Sequence, residues 1–354
     1  MKKYLCMCIS CAFVFFAKAQ EERLRDYVNP FVGTDGYGNI YPGSQIPFGG
    51  IQISPDTDNH FYDAASGYKY SHPTIMGFSL SHLSGTGIPD LGDFLFVPGT
   101  GEIKSIPGTH ENPDEGYRSR YSHEKEWASP GYYGVELIDY GVKAEMTSAC
   151  RSGIFRFTYP ASDKAFILVD LNHTLWQSCP WSNLRQLNDS TIVGYKLVKG
   201  WGPERHIYFA ATFSRKLEHF YILQDGKPVI YNTKRFRSHK EAWGEKLMAC
   251  FTFSTHTGEE VYVKTAISGV STEGALANIN ELDGLTFESV KSRAEELWEK
   301  ELGKYHVAGD LKTKRTFYTS AYHAALHPFV FQDADGRYRE LDKNIGRAEG
   351  FTNY

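Results

Sequence analysis

Residues 154–170 read IFRFTYPASDKAFILVD, two kinds of β-strand in succession. In the first, Phe155, Phe157 and Tyr159 alternate with Ile154, Arg156 and Thr158, the period-2 pattern of a strand with one wetter face. In the second, Ala165–Val169 is apolar throughout, which suits a strand covered on both faces. Working outward, short runs rich in β-branched and aromatic residues recur at Gly134–Met146, Thr191–Leu197, His206–Phe213, Met248–Phe253 and Val261–Ile267. No ten-residue helical pattern breaks the series between residues 27 and 265. That excludes a strand–helix alternation and predicts an antiparallel β-sandwich, a mainly β fold.

The pattern changes near Ser271. A short helix is expected over Thr272–Glu281, and Thr286 reads as the cap of a longer one reaching about Leu302. Val290, Ala294, Leu297, Trp298 and Leu302 give that helix one apolar face. Asp310 caps a third, with a stripe of Phe317, Ala321, Ala324, Ala325 and Leu326 and an end at Pro328. So few helices cannot bury their own apolar faces; they pack on the sandwich or belong with further helical structure.

The 354 residues carry a net charge of −4, which gives no basic footprint for nucleic acid. Residues 1–19, MKKYLCMCISCAFVFFAKA, combine a positive start, a short apolar run and a small-x-small end. They read as a signal peptide cut after Ala19, which predicts a secreted or periplasmic protein; the run is too short to span a bilayer. Cys150, Cys179 and Cys250 remain after cleavage, an odd number at wide spacing that suits neither a disulfide scaffold nor a metal site.

Candidate chemistry concentrates between Tyr41 and Asp93, where glycines punctuate aromatics and short polar residues. Such loops bring backbone close to a ligand, or simply connect strands. His82, Ser84, Asp90 and Asp93 are the densest polar group, but no G-x-S-x-G elbow accompanies them. Asp333-Ala334-Asp335-Gly336 opens like a calcium loop and then fails: Tyr338 and Asn344 stand where glycine and glutamate are needed. No spacing singles out a carboxylate pair for glycoside hydrolysis.

Three long motifs carry a resemblance. VNPFVGTDGYGNIYPGSQIPFGGIQISPDT (28–57), SGYKYSHPTIMGFSLSHLSGTGIPDLGDFLFVPGTG (66–101) and FYTSAYHAALHPFVFQDADGRYRELDKNI (317–345) resemble glycoside hydrolase family 92, calcium-dependent inverting exo-α-mannosidases. The resemblance implies a β-sandwich over 20–268, a helical linker over 269–308 and, over 309–354, the start of an (α/α)6 barrel domain. It implies that Phe48 and Gly49 approach the sugar, and that His82 and Ser84 wall the pocket or order its loops. The partner is a mannose-containing glycan, with the C-terminal barrel as intramolecular partner. By the same resemblance the catalytic carboxylates and the calcium ligands lie in the barrel beyond Tyr354. No catalytic residue and no metal ligand is assigned to this chain, which is expected to be inactive alone. The alternatives are a mannose-binding module or a gene fragment. Two departures bear on linkage preference: Leu80 stands where a histidine is common, and no tryptophan precedes Ser66-Gly67-Tyr68.

Overall fold

A computed structural model describes residues 22–60, 62–230 and 240–354. Residues 1–19, read above as a signal peptide, lie outside them. Among the described residues the two large sheets are antiparallel. The larger has nine strands in the order Glu241–Gly244, Ser178–Asn188, Thr191–Lys199, Arg205–Phe213, Glu259–Ser268, Ser152–Tyr159, Val142–Ser148, Tyr132–Leu137, Glu126–Ser129. The smaller has seven: Ser54–Asp56, Gly77–Ser79, Leu95–Thr100, Ser162–Asp170, Leu247–Thr255, His219–Gln224, Lys227–Pro228.

The strand Ser162–Asp170 shows why an unbroken apolar run is needed. Ala165, Ile167 and Val169 face the interior between the sheets, against Phe155, Phe157 and Phe209. Phe166 and Leu168 face the other way and are buried by Met76, Tyr117 and Met248. Each such side chain contributes about 1.5–3 kcal/mol on burial, so both faces of the strand stabilise the fold. In Ser152–Tyr159, by contrast, only Arg156 and Thr158 are half-buried; Ile154 is covered by Phe287 and Val290.

The run read as one strand over Gly134–Met146 is a hairpin. Leu137 pairs with Val142, and the chain reverses through Ile138–Gly141, with Gly141 at φ 63°. The strands Leu95–Thr100, Ser178–Asn188 and His219–Gln224 were not among the expected runs. Cys179 and Cys250 are buried, Cys150 is half-buried, and all three are free thiols.

Three helices follow: α1 (Thr272–Ile279), α2 (Phe287–Leu302) and α3 (Leu311–Ala324). The N-caps fall at Ser271, Thr286 and Asp310, each accepting a backbone N–H three residues on. α1 ends at Ile279, short of the expected Glu281, and lies on the outer face of the nine-stranded sheet, with Ala275 and Ile279 against Val193, Ala210 and Ala266. α2 buries Val290, Ala294, Trp298 and Leu302, but Leu297 is 42% exposed because it sits at the rim of that arc. On α3 the buried face is Tyr318, Thr319 and Tyr322; of the expected stripe, Ala325 and Leu326 just past the helix are buried, Phe317 and Ala321 half-buried and Ala324 exposed. The face is turned by about one residue, roughly 100°, from the aliphatic stripe. The tyrosine rings decide this: Tyr322 packs on Trp298 at 4.5 Å and Tyr318 stacks on Tyr27 at 5.7 Å.

Candidate functional site

The glycine-rich segment wraps one end of the sandwich, where it meets the stretch after α3. Its centre is the turn Pro47–Gly50. Phe48 N–H donates to Ala325 O at 2.9 Å, and Phe48 O accepts from Val330 N–H at 2.9 Å. Phe48 holds φ 57°, a left-handed conformation that a bulky residue adopts only under constraint. Gly49 is buried, and its carbonyl accepts from the side-chain amides of both Gln45 and Gln52, each at 2.9 Å. At Gly50 a side chain has no room: a Cβ would lie 2.5 Å from Val330 O.

Gln52 connects this turn to His82. Its Oε1 accepts from His82 N–H at 3.3 Å, and its backbone carbonyl accepts from His82 Nδ1 at 2.9 Å. His82 is fully buried. Its Nε2 meets Asp56 Oδ1 at 2.7 Å, and the other carboxylate oxygen of Asp56 meets His173 Nε2, also at 2.7 Å. Burial alone would raise the Asp56 carboxyl; the two imidazoles outweigh it and hold the group well below the usual carboxylate range. Ser84 is half-buried, and its N–H donates to His327 Nε2 at 2.9 Å. Burial lowers the pKa of His327, in keeping with a ring nitrogen that accepts. Phe48, Gly49, His82 and Ser84 thus belong to one hydrogen-bonded assembly with residues 325–330.

A second buried carboxylate lies alongside. Asp93 accepts from Arg205 through both oxygens, at 2.6 and 3.1 Å, from Ser81 Oγ at 2.6 Å and from Lys196 Nζ at 3.0 Å. Burial opposes its charge, but Arg205 and Lys196 prevail and keep it ionised far below the normal range. Neither Asp56 nor Asp93 reaches solvent, so both act as struts for the loops. Asp333 is likewise structural: Ser268 Oγ and Asn278 Nδ2 bind its carboxylate at 2.7 and 2.9 Å, tying the turn Asp333–Gly336 to α1.

Between these elements lies a cavity of about 80 Å³ lined by Gly50, Gln52, Ser81, Arg205, Val330 and Phe331, among others. That is below the roughly 300–1,000 Å³ of ligand pockets, so a sugar would need further wall. A more open depression of about 780 Å³ lies around Trp176 and His173. Calcium takes six to eight oxygens. The one His/Cys/Asp/Glu group among the described residues whose ligand atoms converge, Asp58 with His72 and His110, offers two imidazoles to one carboxylate and does not suit it. The residues that hold the site together were hidden from sequence reading because the partners are remote: Asp56 and His173 are 117 residues apart, Asp93 and Arg205 112.

Residues 27–268 match the glycosyl hydrolase family 92 N-terminal domain, and residues 274–354 match the family's catalytic domain. The chain is 76% identical to a family GH92 α-mannosidase from Bacteroides thetaiotaomicron, with a TM-score of 0.92 over 94% of this chain and 45% of that one. The same enzyme has also been solved in complex with mannoimidazole. A second enzyme of that organism, a family GH92 inverting mannosidase, is 24% identical and shares the fold, at TM-score 0.78 over 93% of this chain and 44% of its own. An uncharacterized secreted glycosidase of Arthroderma benhamiae is 25% identical over 327 residues, 85% of this chain and 41% of that protein. The chain therefore spans less than half the length of each of these relatives.

Proposed function

The chain belongs to glycoside hydrolase family 92, and from that membership we propose that it is the N-terminal portion of a secreted, calcium-dependent, inverting exo-α-mannosidase acting on mannose-containing glycans. The likeness to the B. thetaiotaomicron α-mannosidase, 76% identity over 94% of this chain, carries the reading. Residues 20–268 form the sandwich domain, 269–308 the linker and 309–354 the opening of the helical catalytic domain. Phe48 and Gly49 approach the terminal mannose: the constrained turn is half-exposed at Phe48 and pinned by backbone on both sides, as a rigid sugar-facing wall requires. His82 orders the loops, and Ser84 stands at the rim. The two carboxylates of the assembly, Asp56 and Asp93, are fully buried and engaged by cations or imidazoles. They are unsuited to protonate a glycosidic oxygen or to activate water, so these 354 residues alone turn over no mannoside. Export follows from the leader-like residues 1–19 and accords with the relative named as secreted. No helix among the described residues is long and apolar enough to cross a membrane.

Hydrolysis of aryl α-mannosides and α-linked mannobioses, with calcium and with a chelator, tests this. The expected result is no turnover by the 354 residues. Turnover at rates typical of a whole glycosidase would overturn the division of labour. In any longer form that is active, proton NMR should show β-mannose as the first-formed product, released from chain ends and lost on chelation. Release of the α anomer first, or internal cleavage, would overturn the inverting exo reading.

A further inference from the structure

We propose that Asp58, His72 and His110, with Asp63 beside them, form a binding site for a zinc-class divalent transition metal that fastens three loops at the end of the sandwich. Asp58 and Asp63 lie in the loop after the strand Ser54–Asp56, His72 in the turn before Pro73, and His110 in the long connection after Thr100. One ligand atom from each of Asp58, His72 and His110 lies within 4.8 Å of the others. His110 Nε2 stands 3.7 Å from Asp58 Oδ2, and His72 Nε2 stands 2.9 Å from Asp63 Oδ2. Ligands bound tetrahedrally at about 2.0–2.1 Å are about 3.4 Å apart, so the pairs already bracket that spacing.

The orientation of each group is fixed from behind. His72 Nδ1 meets Thr57 Oγ1 at 3.0 Å, and His110 Nδ1 meets Thr74 Oγ1 at 2.8 Å. Each ring therefore turns its Nε2 toward the carboxylates. The outer oxygens are occupied as well. Asp58 Oδ1 accepts from the backbone N–H of Asn59 at 2.7 Å and from His60, while Asp63 Oδ1 accepts from Lys69 Nζ at 2.5 Å. Arg118 Nη1 donates to Thr74 Oγ1 at 2.9 Å and to His110 Nδ1 at 3.1 Å, so without an ion His110 carries its proton on Nε2, and a bound ion takes that proton's place. Inside the ring of loops, His72 Nε2 is hydrogen-bonded to Asp63 Oδ2 and His110 Nε2 faces Asp58 Oδ2.

His110 Nε2 is the second, independent observation. It is buried without a hydrogen-bond partner, a costly state for a polar atom that an ion would relieve. The two imidazole rings lie with centroids 4.3 Å apart, close enough to share one ion. Two imidazoles and two carboxylates suit zinc, cobalt or nickel and not calcium. The site is unconnected with hydrolysis; Gly67, packed on Asp56 and His82, lies on the loop between Asp63 and His72, so an ion here would clamp a loop of the assembly described above.

The test uses the whole chain without a histidine tag, stripped by chelator and titrated with zinc by calorimetry and with cobalt(II) by visible absorption. We expect one equivalent of zinc, a higher Tm, and the intense ligand-field bands of tetrahedral cobalt, all unaffected by excess calcium. His110→Gln and Asp58→Asn should each weaken binding by more than the about 10–100-fold expected of the outer variant Thr74→Val. Absence of stoichiometric zinc binding, octahedral cobalt bands, or binding indifferent to all three variants would overturn the proposal. Should a ligand variant fail to fold, the cobalt spectrum of the unaltered chain decides.

Discussion

Phe155 and Asp93 are both fully buried, one between the two sheets and the other in the loop layer at their end. Phe155 is surrounded by rings: Phe96 at 5.1 Å, Phe157 at 5.2 Å and Phe78 at 6.4 Å. These contacts have no donors to match, and a neighbour can shift to fill a small void. Asp93 is held by Ser81, Lys196 and Arg205, each in a required direction, and Lys196 is itself fully buried. The interior is thus held by area removed from water, and the loop layer by a closed set of charges. Removing one member of the first costs its own burial; removing one member of the second strands the others.

The sharpest way to break the contrast is Asp93→Ala. It leaves Lys196 and Arg205 unpaired, and an expected loss of about 3–5 kcal/mol should appear in denaturant unfolding. Phe155→Leu should cost about 1–2 kcal/mol in the same assay. Equal or reversed costs would dissolve the distinction.

Acid separates the regions next. Asp56 and Asp93 have folded-state pKa values below their unfolded ones, so their stabilisation is full above about pH 4 and is lost as pH falls below it. His323 on α3 is pushed down by burial to about 4, so its contribution is full above about pH 6.5 and fades as pH falls toward 4. Asp170 and Asp333, raised by burial, act with the opposite sign. Between pH 7 and 5 the chain should lose stability on the order of 1–2 kcal/mol, and His323→Leu should remove much of that loss. An unchanged pH profile in the variant would show that His323 is not the group responsible.

A smaller effect concerns Phe48. Ordinarily glycine is the worse substitute for a large residue. At φ 57° the order should invert, with Phe48→Gly more stable than Phe48→Ala by about 1 kcal/mol, since alanine keeps the left-handed strain. Thermal melts of the pair suffice, and the usual order would remove the case for a constrained turn. Smallest are the helix changes. Thr286→Ala, which breaks the capping box with Ser289, should cost about 1 kcal/mol, and Leu297→Ala at the rim of α2 under about 0.5.

The two regions also differed in how far they could be read. Alternation in 154–159 and the unbroken run 165–169 announced strands because burial leaves a periodic mark. The same signal misled at Gly134–Met146, where apolar residues on both sides of a hairpin turn, Val135 and Leu137 facing Ala144 and Val142, read as one run, and on α3, where Tyr318 and Tyr322 are buried and Ala324 is exposed. In the loop layer the motifs drew attention to residues 41–93, and the structure joins Phe48, Gly49, His82 and Ser84 in one hydrogen-bonded assembly. Their supports did not show. Asp56 and His173, or Asp58 and His110, are brought together only when the sandwich closes, and no local pattern records that.

The turn at Phe48 also sets a clock. Gln45 donates its side-chain amide to the carbonyl of Leu326, 281 residues later. At about 5–20 residues per second, the ribosome delivers that acceptor about 14–56 s after the turn itself has been made. This loop is therefore completed long after it is made, and until then the Gln45 amide and the Phe48 backbone wait for partners that have not been synthesised.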